Sequence, residues 1–349
     1  MSKANGLLLS LFAASAAVTA TPAMSAEELN LYNWSVYINP EILTDFSKET
    51  GIKVRLDTYG TNEEMLAKIQ AGATGYDIVF PSVHMQDIMT NLTLLQPAGI
   101  RDLKGYDNID QKYFLATTDP DHNICLPYNR GTSGLMYNKK LLGDASADTW
   151  KVVFDPPAEL HGKIAMLDDV RETIGAALMY NGFSINSTDP KELAKARDTI
   201  LKAKPYWAAM LTDGIGDKVV NGDFVVAQWW SGTVVQTMDT KPEDIGYAIP
   251  KEGTNGFQED MCLLANAPNV ESAKRFFEYM MRPEVNAKNT NWLRGWSTNK
   301  AALPLIDAKL TSNTSIYPNE EVFERLQLIQ DVGDKIRLYD KVWTDVKAR

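Results

Sequence analysis

Strand and helix signals alternate three times between Leu29 and Met89, and no other feature of the sequence restricts the fold as much. Leu29 to Trp34 has the two-residue alternation of a strand. Asn39-Pro40-Glu41 then opens a helix: Asn39 caps it, Pro40 sits where no N–H donor is needed, and Glu41 faces the positive end of the helix dipole. Ile42 and Phe46 mark its apolar side, and Gly51 ends it. The pattern repeats. Ile52 to Tyr59 is a second strand, and Thr61 with Glu64 makes a capping box ahead of Met65, Leu66 and Ile69. Tyr76 to Pro81 is a short apolar strand, after which Ser82 leads into Met85, Ile88 and Met89 at helical spacing. A βαβαβα order predicts an α/β fold with a mostly parallel sheet covered by helices. Ligands of such sheets lie beyond the carboxyl ends of the strands, and Trp34-Ser35 and Pro81-Ser82 fall at two of these ends.

The middle of the chain carries a second series. Leu135 to Tyr137 and Lys163 to Leu167 read as strands, Asp168-Asp169 precedes a helix through Thr173 to Tyr180, and further helix signals run from Lys191 to Ala203 and from Gly214 to Val220. Phe224 to Trp229 is a strand, the chain crosses back near Tyr247 to Gly253, Met261 to Leu264 is strand-like again, and Ser272 to Met281 is a helix stopped at Pro283. From Thr311 onward one or two terminal helices are expected, including the apolar set Val322, Phe323, Leu326 and Ile329. A chain of 349 residues suits two domains better than one. The expected architecture is therefore two α/β lobes joined by two hinge crossings, with a ligand enclosed between them. Residues 27–134 plus 257–310 form a discontinuous lobe 1, and 135–256 plus 311–349 form lobe 2 with the C-terminal helices.

Residues 1–26 are expected to be a signal peptide: Lys3, an apolar stretch from Gly6 to Ala17, and small residues at Ala20, Ala23 and Ala26. Cleavage is expected after Ala26, with Ala20 and Ala23 as other ends. The apolar stretch is too short to span a bilayer, and no cysteine stands nearby to take a lipid, so release as a soluble periplasmic protein is expected. The formal net charge of −10 without a long basic block argues against nucleic acid or an anionic membrane as partner. Cys125 and Cys262 sit in apolar surroundings and are either a disulfide of an oxidising compartment or two free core thiols.

Aromatics and carboxylates recur at the proposed inter-lobe ends. Trp34, Tyr37, Trp229, Trp230 and Trp296 are candidate walls, and Asp169, Glu172 and Asp260 are candidate anchors. An ammonium ligand needs acceptors and negative charge to offset its desolvation, while aromatic faces cover the methylenes beside it. Each has a plainer reading: tryptophans fill cores, Asp169 and Glu172 favour a helix start, Asp168 is expected to be the cap or a solvated neighbour, and Glu259-Asp260 fits a loop charge pair. Ser35 and Ser82 are candidate polar contacts or helix caps, and His84 brings a group that titrates near neutrality. Arg130-Gly131-Thr132-Ser133-Gly134 lacks the ending of a phosphate loop, so Arg130 is expected to hold a hinge carboxylate or lie exposed. His84, His122 and His161 are scattered, and neither a Cys/His metal set nor a nucleophile turn is present in the sequence. No metal or cofactor is called for, and a secreted hydrolase or transferase using Asp169 and Glu172 is the remote alternative to a binding protein.

Asn33-Trp34-Ser35-Val36-Tyr37, Phe46 to Val54, Tyr76-Asp77-Ile78-Val79, Leu167 to Glu172, Tyr317-Pro318 and Asp331-Val332-Gly333 together resemble the periplasmic spermidine/putrescine-binding proteins of ABC transporters. The resemblance implies a type II periplasmic binding-protein fold, lobe closure on a small cationic amine, and delivery to a membrane permease; a monomer is expected. It also implies Trp34, Tyr37 and Trp230 as aromatic contacts, Ser35 and Ser82 as polar contacts, Asp169 and Glu172 as anchors for one ammonium, and Asp260 as anchor for another. The chain departs from such relatives at four walls: Gln258 stands where an aromatic is usual, His84 and Trp296 where tyrosine is familiar, and Ile329 where glutamine occurs in spermidine binders. Val36 replaces an aspartate of putrescine-binding members. Polyamine is the leading ligand class, with a modified polyamine or another cationic amine as the alternative.

Overall fold

The computed structural model describes residues 27–115 and 119–348; the expected signal peptide, 1–26, lies outside the described residues. Its strands are β1 (Glu28–Trp34), β2 (Lys53–Tyr59), β3 (Ile78–Val79), β4 (Cys125–Arg130), β5 (Ser133–Asn138), β6 (Ile164–Leu167), β7 (Ala209–Leu211), β8 (Val226–Trp230), β9 (Ile245–Ala248), β10 (Thr254–Asn255), β11 (Gln258–Leu263), β12 (Trp296–Ser297) and β13 (Leu326–Gln327). One sheet has the order β12-β4-β11-β3-β1-β2, a second β7-β6-β8-β5-β9, and β10 pairs with β13. Both α/β lobes are thus present, linked at β4–β5 and at β9–β10–β11. The local signals act as expected at the first helix, Pro40–Thr50: Asn39 Oδ1 accepts the Glu41 N–H at 3.0 Å, and Gly51 takes the left-handed conformation (φ 77°) that lets its N–H reach Ser47 O.

The sheets are mixed, whereas the sequence predicts mostly parallel ones. β1 runs parallel to β2 and β3, but β11 is antiparallel to both β3 and β4, and β12 is antiparallel to β4. In the second sheet β6 is parallel to β7 and β8, while β5 opposes β8 and β9. The reason is the hinge. A strand that is followed by a helical crossover ends at the inter-lobe edge, whereas β5 and β11 enter from the other lobe and begin there, so each runs against its neighbours.

Each lobe has its own core. Leu29, Leu31, Ile42, Phe46, Phe276 and Phe277 pack together in the first, and Trp150, Ile164, Met166, Ile174, Val226 and Tyr339 in the second. A side chain as fully buried as Phe46 contributes about 1.5–3 kcal/mol. Cys125 and Cys262 are directly opposite in the β4–β11 register and form a disulfide, with Cα atoms 4.4 Å apart. The expected helix through Val322 to Ile329 is replaced by a single turn, Glu320–Phe323, followed by β13. β13 pairs with β10, and the Gly256 N–H donates to Gln327 O at 3.0 Å. Backbone groups of the second crossing require partners, and that requirement overrides helical spacing.

Candidate functional site

At the carboxyl end of β6, Asp169 is the N-cap of helix Val170–Tyr180, accepting the Glu172 N–H at 2.9 Å. Of the two roles expected of Asp168, cap or solvated neighbour, it is not the cap; it pairs with Lys347 at 2.8 Å. The cap sets Glu172 on the first turn, buried between the two hinge crossings. Ser133 Oγ from β5 donates to it at 2.8 Å, Asn255 Nδ2 from β10 at 2.9 Å, and Trp230 Nε1 at 3.3 Å. All three donors reach Oε1; Oε2 receives none among the described residues. Burial, then the like charge of Asp169, pushes the Glu172 carboxyl up to about 7, against the pull of these hydrogen bonds. Burial raises Asp169 in the same way.

The facing lobe assembles a second acidic centre. After β1 the chain turns through Ser35, exposed, and Val36, which is 70% exposed with φ 53°, and delivers Tyr37 inward. The Tyr37 hydroxyl donates to Glu259 Oε2 at 2.7 Å and accepts from Asn129 Nδ2 at 2.7 Å. Gly295 permits this: a Cβ there would lie 2.1 Å from Asn129 Oδ1. Ser82 stands at the N-cap of helix Val83–Asn91 but caps nothing; its hydroxyl donates to Glu259 Oε1 at 3.3 Å and accepts from Asn62 Nδ2 at 3.1 Å. Trp34 donates through Nε1 to Phe80 O at 2.8 Å, with its ring 4.7 Å from that of Tyr59. Glu259 is therefore the acid that Tyr37 and Ser82 serve, and burial pushes it up to about 8. The charges of Glu259 and Glu172 act on one another across the lobes, as do His84 and Arg171. His84 does not titrate near neutrality: burial, then Arg171, lowers it to about 3, so its imidazole is neutral.

A third group lies along one row of the first sheet. Gln258, Arg130 and Trp296 are directly opposite one another on β11, β4 and β12, so their side chains share a face. Gln258 Nε2 donates to Tyr113 O at 2.7 Å and to Asp260 Oδ1 at 2.8 Å. Asp260 is buried and raised to about 7, chiefly by desolvation, with Arg130 pulling it down. Arg130 is neither exposed nor paired with a hinge carboxylate, contrary to expectation. Its guanidinium lies 4.5 Å from the ring centre of Tyr113, 4.6 Å from Trp296 and 5.7 Å from Phe323. Trp296 thus packs on a cation of the protein itself.

The structure brings Trp34, Tyr37, Ser82, His84, Asp169, Glu172, Trp230, Gln258, Asp260 and Trp296 to the inter-lobe ends of the sheets. Ser35 stays in its exposed turn, Trp229 packs into the second-lobe core, and Ile329 packs with Met179 and Ile185. Sequence reasoning overlooked Glu259, Asn129, Asn255 and the placement of Arg130. Glu259 and Asp260 are successive and both buried, yet they serve different partners, Tyr37 and Ser82 for Glu259 and Gln258 for Asp260; the β4–β11 register shifts between them, with Tyr128 the extra residue on β4. Among the described residues no cluster of three or more metal-ligating side chains occurs, and no helix is long and apolar enough to cross a membrane.

Residues 41–318 match the family described as bacterial extracellular solute-binding protein. The chain is 34% identical over 357 residues to the putrescine-binding periplasmic protein SpuD of Pseudomonas aeruginosa, covering 98% of this chain and 97% of that one. It is 33% identical over 345 residues to the putrescine-binding periplasmic protein PotF of Escherichia coli, covering 94% and 93%. Among solved structures, the spermidine/putrescine ABC transporter substrate-binding protein PotD of Streptococcus pneumoniae superposes with a TM-score of 0.82 at 29% identity, over 92% of this chain and 99% of that one. With two lobes, strand crossings between them and a buried acidic site there, the chain belongs to the bacterial extracellular solute-binding protein family.

Proposed function

We propose that this protein is the periplasmic solute-capturing component of an ABC importer, binding a protonated aliphatic amine of the polyamine class between its lobes and handing it to a membrane permease. The observation that carries the reading is Glu172: a buried carboxyl with three donors on one oxygen, none on the other among the described residues, and no ion pair there. Burial disfavours its charged form, and an ammonium supplies the missing counter-charge. Asp169 shares that ammonium, and Tyr37, Trp34 and Trp230 cover the carbon chain. Glu259 and Asp260 are the acids of the facing lobe. The names of the relatives, putrescine-binding and spermidine/putrescine-binding, support the ligand class. The lobe division proposed is 27–134 plus 257–310 for lobe 1 and 135–256 plus 311–349 for lobe 2; the two sheets support it except at Ser133 and Gly134, which belong to β5 of the second sheet. These groups hold a cation reversibly, and binding without turnover is the role they suit.

Titration calorimetry against putrescine, spermidine, agmatine and neutral isosteres tests the reading. The amines are expected to bind and the isosteres not to; equal or absent binding across the panel overturns it.

A further inference from the structure

The site carries a cation of its own where a second ammonium of a diamine would be received. Arg130 is 6% exposed, its Nε has no hydrogen-bond partner among the described residues, and it forms no ion pair there. Burying a guanidinium in this way is costly unless an anion or acceptor completes it. The groups facing it from neighbouring elements are the rings of Tyr113, Trp296 and Phe323, the Tyr113 hydroxyl, which supports its charge, and the charges of Asp260 and Asp110, neither of which forms an ion pair with it. Asp260 is committed to Gln258 by a 2.8 Å hydrogen bond. The rings that would hold a ligand ammonium by cation–π attraction are already occupied, and a second cation there meets a like charge.

Arg130 and Ser133 are three residues apart in the same crossing, so their Cα atoms are separated by at most about 10 Å. Ser133 is the residue that donates to Glu172. The backbone that carries the guanidinium, whose Nε is unpartnered, is therefore close to the backbone that supplies a donor to the incompletely satisfied carboxyl, and the two groups are of opposite sign.

Resting on the ammonium capture proposed above and departing from its polyamine class at the far end, we propose that the ligand is an aliphatic amine whose far end is a carboxylate, with its ammonium on Glu172 and Asp169 and its carboxylate on Arg130. The ligand class is then an ω-amino carboxylate in preference to an α,ω-diamine. Arg130 reads the far end by charge, and the aromatic rings hold the guanidinium in place for it.

Calorimetry with putrescine, 4-aminobutanoate and N-acetylputrescine, run on the native protein, Arg130→Gln and Arg130→Lys, decides the matter. The native protein is expected to bind 4-aminobutanoate at least about 10-fold more tightly than putrescine, and Arg130→Gln to remove that preference. Arg130→Lys keeps the charge and is expected to keep part of the preference, which carries the test if the Gln variant folds poorly. A native preference for putrescine that Arg130→Gln leaves unchanged overturns the carboxylate assignment while leaving amine capture standing. N-acetylputrescine binding as tightly as 4-aminobutanoate also overturns it, because a neutral acceptor would then suffice. Failure of all three amines to bind overturns both readings.

Discussion

Replacing Glu172 by glutamine is expected to move two measurements in opposite directions. The amide oxygen of the new side chain still accepts from Ser133, Asn255 and Trp230, so the buried network survives the substitution. What goes is the charge. Burial raises the carboxyl from 4.5 to about 7, so the folded protein holds this proton more tightly than the unfolded chain does. Its contribution to stability is fully present below the unfolded value and is lost as pH rises through the folded one, a loss of about 3 kcal/mol by pH 8. Glu172→Gln removes that loss: in urea titrations the ligand-free variant should be more stable than the native protein at pH 8 by up to about 3 kcal/mol, and nearly equal to it at pH 4. The ligand responds the other way. An enclosed ammonium that loses its charged partner binds more weakly by about 3 kcal/mol, roughly 150-fold in Kd. A variant destabilised equally at both pH values would show that Glu172 serves only the fold, and an unchanged amine affinity would remove it from the site.

Three further outcomes are expected. Since Glu259, at about 8, and Asp260, at about 7, are raised by burial like Glu172, amine binding near pH 7 should release protons, detected as a calorimetric enthalpy that depends on buffer ionisation; proton uptake would contradict it. Tyr37→Phe removes the 2.7 Å donor to Glu259, so the Glu259 titration, followed by carboxyl NMR, should move further up and stability should drop by about 1–3 kcal/mol at pH 9; an unmoved titration would show that the hydroxyl does not hold the acid. Replacing both Cys125 and Cys262 by alanine opens a link spanning 137 residues and should cost about 2–5 kcal/mol in urea unfolding, with no loss expected if the native protein is first reduced.

The architecture was legible because its signals are local. Asn39-Pro40, Gly51 and the Thr61 box each dictate their own turn of helix, and the order of elements implies two lobes. Strand direction was less so, since β5 and β11 owe theirs to where the chain crosses, a non-local fact. Asp169, Glu172, Tyr37 and Ser82 stood out in the sequence because they lie at the predicted strand ends, where ligands of such sheets are expected. Glu259 was overlooked because an acid next to Asp260 looks like a solvated neighbour, whereas both are buried, one on each side of the register shift. Arg130 was misplaced for a similar reason: the rings that receive it come from residues 113, 296 and 323, and no spacing in the sequence announces their meeting. The 322–329 segment has helical spacing, yet its backbone answers to an unpaired strand elsewhere.

The Cys125–Cys262 link joins the outgoing strand to the returning one, at the start of β4 and near the end of β11, at the end of the strand pair away from the crossing. β4 and β11 therefore cannot slide past each other, and a slip of one residue would have turned Asp260 and Gln258 to the opposite side. The oxidised protein therefore keeps one pairing at the base of the crossing, and with it the face on which Gln258 and Asp260 stand.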